Sequence, residues 1–207
     1  MKRNKPFFIG ITGGVGAGKS AVLSYIRETY NCDIYLADEV AHEVKKAGTP
    51  AYGELVELLG EDVVGEDGEI NKAKMAQRIF ADAEILQKVN DIIHPAVRVY
   101  LLERLEEARN SGEKDLFFVE AALLIECGYG ELVDEMWYIH ADKEVRKARL
   151  MAARGYSEEK VAQIIASQLS EEEYRENSDF VIDNSFSLEE SAKQIDARLE
   201  KILYEIM

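Results

Sequence analysis

Residues 9–21 read IGITGGVGAGKSA, an apolar run that breaks after Thr12 into closely spaced glycines, a lysine and a serine. Glycine loses more backbone entropy on ordering than any other residue, so this density of glycine indicates a backbone that curls tightly around a ligand. The spacing from Gly13 to Ser20 fits G-x-x-x-x-G-K-[ST], in which backbone N–H groups and a helix N-terminus cradle phosphates. Residues 13–20 are therefore predicted to form a phosphate-binding loop, called the P-loop below.

The flanking sequence supplies the context that such a loop needs. Residues 7–11 form a short apolar run typical of a central parallel strand, and residues 21–26 continue with helical spacing. Lys19 is expected to reach the β- and γ-phosphates, and Ser20 to offer its hydroxyl to Mg²⁺. The predicted ATP-binding run is Gly14, Val15, Gly16, Ala17, Gly18, Lys19, Ser20 and Ala21.

The composition describes a chain with room for a sizeable core. It has 207 residues, of which 47% are hydrophobic, and a formal net charge of −15. That charge opposes nonspecific binding to nucleic acid or anionic membranes. No apolar run approaches the roughly 20 residues that span a bilayer, and no signal peptide is evident, so a cytoplasmic protein is expected. Cys32 and Cys127 form no disulfide framework or zinc motif, and are expected to be small buried residues.

Alternating apolar runs and helical patterns predict the order of the elements. Further strands are expected at 32–36, 116–120, 136–139 and 180–182, a closing helix at 188–206, and only helices within 50–110. Strands that alternate with helices around a phosphate loop predict a doubly wound α/β fold with a five-stranded parallel sheet flanked by helices.

Two acids follow predicted strands and are candidates for chemistry. Asp38 comes just after the second strand, where it could take a proton from an acceptor hydroxyl; helix N-capping is an equally good interpretation. Glu120 ends the third strand, where P-loop proteins hold a carboxylate near magnesium; the alternative is a solvated strand-end acid.

Other candidates lie on predicted helices. His94 precedes Pro95, which predicts a helix break where its ring could face a ligand, although a lone histidine is more often structural. Arg146, Arg149 and Arg154 lie in a charged segment, and one or two of them could close over the γ-phosphate. Most charges on such a helix are its solvated face.

Two patterns that resemble GTPase motifs are set aside. The run Asp62-Val63-Val64-Gly65 matches D-x-x-G but follows a helical pattern rather than a strand. The run Asn71-Lys72-Ala73-Lys74 begins like N-K-x-D but lacks the aspartate that reads guanine.

The order and spacing of several motifs resemble those of the bacterial dephospho-coenzyme A kinases along nearly the whole chain. These motifs are IGITGGVGAGKS at 9–20, ADEVAHEV at 37–44, GTPAY at 48–52, RIFAD at 78–82, IIHPAV at 92–97, ALLIE at 122–126, ARLMAARGYS at 148–157 and DFVIDNS at 179–185.

The resemblance implies a P-loop kinase fold of the nucleoside-monophosphate-kinase type, with ATP and Mg²⁺ as cofactors. The implied reaction moves the γ-phosphate of ATP to the ribose 3′-hydroxyl of dephospho-CoA. One domain over 1–207 is expected, with a core at about 6–47, 115–142 and 179–207, a helical substrate lobe at about 48–110 and a helical lid at about 145–175. A monomer or weak homo-oligomer is expected.

The resemblance also assigns roles to particular residues. Asp38 is implied as the catalytic base, together with Lys19 at the phosphates. The acceptor is implied to contact Thr12, Asp38, Arg78, His94, Leu124 and Glu126; ATP is implied to contact Arg149 and Arg154; and magnesium is implied at Ser20 and Glu120.

The chain departs from the family pattern at several positions. Leu36 stands where the family often has a first aspartate, Ala122 replaces a proline, and Glu120 replaces a common aspartate. The family's second lid arginine aligns with Ala153, one position before Arg154. Three alternatives therefore stay open: a kinase for another small molecule, a nonenzymatic nucleotide switch, and an inactive paralogue.

Overall fold

The computed structural model describes residues 6–206, and its centre is a five-stranded sheet in the order β2-β3-β1-β4-β5. The pairings of β1 with β3, β1 with β4 and β4 with β5 are all parallel. The predicted parallel sheet is confirmed, and every predicted strand boundary agrees within one residue. The strands are β1 (Phe7–Thr12), β2 (Cys32–Leu36), β3 (Leu116–Glu120), β4 (Glu135–His140) and β5 (Phe180–Asp183).

Nine α-helices accompany the strands within residues 6–206, and the last of them matches the predicted closing helix. Short 3₁₀ turns lie at Glu61–Val63 and Tyr129–Glu131. The helices are α1 (Lys19–Thr29), α2 (Ala37–Glu43), α3 (Pro50–Leu59), α4 (Lys72–Ala81), α5 (Ala83–Ser111), α6 (Lys143–Arg154), α7 (Glu158–Ala166), α8 (Glu171–Glu176) and α9 (Leu188–Ile206).

The centre of the sheet is the apolar core. Every residue of β1 and of β4 is buried, as expected for parallel strands covered on both faces. Trp137 on β4 makes edge-to-face ring contacts with Phe118 on β3 and Phe180 on β5. These ring contacts pack side chains of β3, β4 and β5 against one another.

The described residues divide into two compact units. The first contains the residues up to Ile34 and those from Ala108 onward, and the second is Tyr35–Glu107. Apart from Tyr35 and Leu36, which end β2, the second unit consists of helices and their connections, as predicted for 50–110, with an isolated antiparallel bridge between Val64 and Ile70. The two cysteines are half-buried rather than fully buried, and burial raises the pKa of the Cys32 thiol to about 11.

The helix break expected at His94-Pro95 is wrong, because α5 continues from Ala83 to Ser111 with Pro95 inside it. Proline removes one helical hydrogen bond and crowds the preceding turn, at a cost of about 3 kcal/mol. A fully buried aliphatic side chain contributes roughly 1.5–3 kcal/mol, so a buried row outweighs that cost. The row consists of Val89, Ile93, Val97, Leu101 and Leu105.

An ion pair between the buried Glu135 and the partly exposed Arg198 joins β4 to α9. The carboxylate of Glu135 accepts hydrogen bonds from the indole N–H of Trp137 at 2.9 Å and from Nε of Arg198 at 3.0 Å. A second contact joins Arg198 Nη2 to the other carboxylate oxygen, and this pairing raises the pKa of Arg198. Glu135 is 6% exposed, so its charge depends on these partners.

Replacing Arg198 with methionine is expected to lower the free energy of unfolding by about 3 kcal/mol, because it strands a buried carboxylate. Chemical denaturation measures this change. Arg175→Met is the matched control, since its ion pair with Glu171 is exposed and such pairs contribute about 0–1 kcal/mol. Equal losses in the two variants would contradict the argument.

Candidate active site

The P-loop lies where the sequence predicted it, between β1, which ends at Thr12, and α1, which begins at Lys19. Gly16 and Gly18 have φ of +83° and +90°, a backbone conformation that side chains disfavour. A Cβ at Gly18 would also lie 2.2 Å from Nδ2 of Asn184. Only glycine fits Gly18, because both the backbone conformation and the neighbouring side chain exclude any other residue.

The N-terminus of α1 is open to an anion. Its N-cap residue, Gly18, makes no side-chain cap hydrogen bond, and the first turn carries no acidic residue. The first N–H groups of a helix have no partner within the helix, and the macrodipole places positive partial charge there. Together with the curled loop before it, this helix end offers backbone donors and positive partial charge to an anion.

Lys19 and Glu120 meet at the base of the P-loop. The ammonium group of Lys19 donates a hydrogen bond to the carbonyl oxygen of Gly13 at 2.7 Å and lies 3.5 Å from Oε1 of Glu120. Glu120 is placed there by β3, because it is the register partner of Ile11 on β1. The sequence named both residues separately, and the structure brings them together.

Arg146 and Gln168 hold the peptide groups of Val15. Nε of Arg146 donates to the Val15 carbonyl at 3.0 Å, and the Val15 N–H donates to Oε1 of Gln168 at 3.2 Å. Arg146 also donates to the same amide oxygen of Gln168. Arg146 was a sequence candidate, but Gln168 was missed because a polar residue between two charged helices carries no distinguishing pattern.

Arg149 and Asn184 hold the peptide group that follows Ala17. Arg149 donates to the carbonyl of Ala17 at 3.3 Å and to that of Asn184 at 2.9 Å. Nδ2 of Asn184 donates to the Ala17 carbonyl at 2.7 Å. Asn184 lies in the motif at 179–185, but the sequence pattern does not mark it as a site residue.

Arg154 has a different environment from the other two lid candidates. It is exposed at the end of α6, and its guanidinium lies 5.9 Å from the ring centroid of Tyr156. Of the arginines considered from sequence, Arg146 and Arg149 are therefore the ones with hydrogen bonds to the P-loop.

Three residues expected near the acceptor lie in the first unit. Thr12 is fully buried at the end of β1, and its hydroxyl donates to the Ala122 carbonyl at 3.4 Å. Leu124 is buried and Glu126 is exposed. Burial, and then the charge of Glu126, raise the pKa of Tyr174 to about 12.

Asp38 lies in the first turn of α2, and it does not cap the helix. The N-cap residue is Leu36, and no side-chain cap hydrogen bond is made. The N-capping interpretation is therefore wrong. Burial and the neighbouring cations Lys45 and Lys72 lower the pKa of His42, and Asp38 opposes this shift. Asp38 is exposed, and its charge also raises the pKa of Lys45, which burial and Lys72 lower.

The remaining acceptor candidates also belong to the second unit. Arg78 forms an exposed ion pair with Asp62 at 2.8 Å, and His94 is exposed on α5. Asp62 lies in a 3₁₀ turn after α3, so the helix predicted before this run is confirmed.

The residues that could hold a metal ion are few. Within residues 6–206, no group of three or more His, Cys, Asp or Glu side chains could hold a metal ion. Mg²⁺ in phosphate-binding sites keeps several waters and uses one or two protein ligands together with phosphate oxygens. The exposed hydroxyl of Ser20 and the partly exposed carboxylate of Glu120 fit that requirement.

Comparisons with known proteins agree with this geometry. A profile of the family described as dephospho-CoA kinase matches residues 7–190. The dephospho-CoA kinase of Carboxydothermus hydrogenoformans is 36% identical over 193 residues, which make up 93% of this chain and 93% of that protein.

Solved structures show the same fold. A Thermus thermophilus protein has a TM-score of 0.76 and 33% identity, and the match covers 95% of this chain and 97% of that one. A dephospho-CoA kinase from Campylobacter jejuni has a TM-score of 0.73 at 21% identity, with 97% and 98% covered. Because the family profile and the relative both match nearly the whole chain, this protein belongs to the dephospho-CoA kinase family.

Proposed function

We propose that this protein transfers the γ-phosphoryl group of ATP to the ribose 3′-hydroxyl of dephospho-CoA, giving CoA and ADP. The observation that carries the proposal is the P-loop, with Lys19 and an uncapped helix end, on a chain that the family profile matches from residue 7 to 190. This reaction is the last step of CoA biosynthesis.

ATP would bind along the P-loop, residues Gly14 to Ala21. The backbone N–H groups and the positive end of α1 would hold the phosphates, and Lys19 would exchange its contact with the Gly13 carbonyl for phosphate oxygens. Phosphoryl transfer requires mainly positioning and neutralisation of charge, which these groups supply.

Ser20 and Glu120 would hold the Mg²⁺ ion that accompanies ATP. When bound, such an ion neutralises charge on the β- and γ-phosphates. Arg149 and Arg154 are proposed to contribute further positive charge from α6, where Arg149 already bonds the P-loop backbone.

Asp38 is proposed to orient and deprotonate the acceptor hydroxyl. Its exposed carboxylate makes no helix-capping bond, which leaves its oxygens available for that hydroxyl. Thr12, Arg78, His94, Leu124 and Glu126 are proposed to contact the acceptor.

No helix within residues 6–206 is long and apolar enough to cross a membrane. A cytoplasmic location, a monomeric or weakly self-associating state, and an absence of nucleic-acid partners belong to the same proposal.

The test is release of ADP from Mg²⁺-ATP with and without dephospho-CoA, with identification of CoA by mass. Release that depends on dephospho-CoA is expected. ATP binding without such release would overturn the proposed reaction, and a panel of other hydroxyl acceptors would then distinguish another kinase from a nucleotide switch.

A further inference from the structure

The peptide group that joins Ala17 to Gly18 in the P-loop is hydrogen-bonded by side chains that lie outside the loop. The carbonyl of Ala17 and the N–H of Gly18 belong to one planar trans peptide, so they point in opposite directions. A contact that fixes the carbonyl therefore also fixes where the N–H points. The Gly18 N–H belongs to the concave run of donors at the start of α1, where phosphate is expected.

The shorter of the two side-chain hydrogen bonds to the Ala17 carbonyl comes from Asn184. Its Nδ2 donates at 2.7 Å, and Arg149 donates to the same oxygen at 3.3 Å. Asn184 follows β5 directly, is 4% exposed, and donates its own backbone N–H to the His140 carbonyl at 2.8 Å. Its backbone is thus anchored to β4, which pairs with β1, the strand that leads into the loop.

The side-chain amide of Asn184 has a defined orientation. The Ala17 carbonyl only accepts hydrogen bonds, so the nitrogen of the amide must face it. The amide oxygen then faces Ser191, whose hydroxyl donates to it at 2.8 Å. Ser191 is fully buried on α9. A chain of contacts therefore runs from α9 through Ser191 and Asn184 to the P-loop.

Because residue 18 is a glycine, its peptide group depends on the hydrogen bond from Asn184 for its orientation. With φ of +90° and no Cβ, Gly18 has no side chain of its own to restrict its peptide group. The amide nitrogen of Asn184 occupies the place that a Cβ would take, since a Cβ built there would lie 2.2 Å from it. The restraint comes from a residue 166 positions later in the chain.

We propose that Asn184 is a positioning residue that holds the Gly18 N–H ready for a phosphate of the nucleotide, with Ser191 fixing the orientation of its amide. This inference rests on the proposed function only in that a nucleotide binds the P-loop. Preorganisation of a donor improves binding because the ligand does not have to order it.

The first test is ADP binding to Asn184→Leu, measured by calorimetry in the absence of any acceptor. Leucine has a similar volume but no donor, and we expect ADP affinity to fall about tenfold, as for the loss of one hydrogen bond, because the Ala17 carbonyl keeps only the longer contact from Arg149. Ser191→Ala keeps the donor but frees its amide, so a smaller loss of about threefold is expected.

Ser185→Ala is the matched control. Ser185 lies on the same loop, and its hydroxyl accepts a hydrogen bond from the Asp142 N–H at 2.9 Å, at the start of α6. ADP affinity is expected to be unchanged in this variant. Unchanged affinity in Asn184→Leu, or an equal loss in Ser185→Ala, would overturn the proposal.

A second measurement separates positioning from a purely structural role. The amide proton resonance of Gly18 is expected to move downfield when ADP binds the native protein and to move less in Asn184→Leu. If that variant lowers only the melting temperature of the free protein and leaves the Gly18 shift intact, Asn184 is structural and the proposal fails. If dephospho-CoA proves not to be the acceptor, these ADP measurements still decide the role of Asn184.

Discussion

Asp38→Asn is expected to lower kcat by about 10²–10⁴-fold, the usual contribution of a general base, while the KM for ATP stays near its native value. Asparagine has nearly the same shape but cannot accept the proton of the acceptor hydroxyl at neutral pH. Steady-state kinetics with dephospho-CoA and Mg²⁺-ATP measure the two parameters separately. The expected effect of the substitution is large because no other acid is proposed to accept the proton of the acceptor hydroxyl.

Glu39→Gln is the matched control for Asp38→Asn. Both acids lie in the first turn of α2 and both side chains are exposed, so each substitution removes one negative charge from the same helix end. Any effect through the helix dipole is shared, at about 0.3–1 kcal/mol of stability. A fall in kcat of the same size in both variants would show that helix stability, and not proton transfer, explains the loss.

Lys19→Met is expected to lower kcat/KM for ATP by about 10²–10³-fold, comparable to the loss of one preorganised donor to a developing charge. Methionine keeps much of the length of the side chain but loses the ammonium group. The free protein is expected to lose little stability, because the group removed makes one carbonyl contact and a 3.5 Å approach to Glu120. Steady-state kinetics measure the fall in kcat/KM, and thermal unfolding measures the change in stability.

Lys201→Met provides the comparison for Lys19→Met. Lys201 is exposed on α9, and the same chemical change there is expected to leave kcat/KM unchanged. A small effect of Lys19→Met, similar to that of Lys201→Met, would contradict the assignment of Lys19 to the phosphates.

Local sequence patterns predicted most of the fold. The strands lie within one residue of their predicted ends, because a run such as Phe117-Phe118-Val119 is apolar enough to be buried on both faces of a parallel sheet. The helix break predicted at Pro95 is wrong because that prediction depends on local conformational preference alone. Burial of a long apolar row, which is a tertiary effect, outweighs that preference.

The candidate site also has parts that the sequence predicted and parts that only the structure decided. The P-loop, Lys19 and Glu120 were predictable because their chemistry depends on short spacing or on the end of a strand, and the meeting of Lys19 with Glu120 follows from the pairing of β1 with β3. The sequence left Asp38 open between a base and a helix cap. The structure removes the cap, since Leu36 takes that position without a side-chain bond.

The sequence by itself therefore determined the strand–loop–helix unit at residues 7–29, because glycine spacing and helix polarity act over a few residues. Only the tertiary structure decided which side chains hold that loop in shape. Gln168 and Asn184 lie more than 150 residues away from the P-loop backbone that they contact. Hydrogen bonds between such distant groups depend on how strands and helices pack, and no local pattern of residues encodes them.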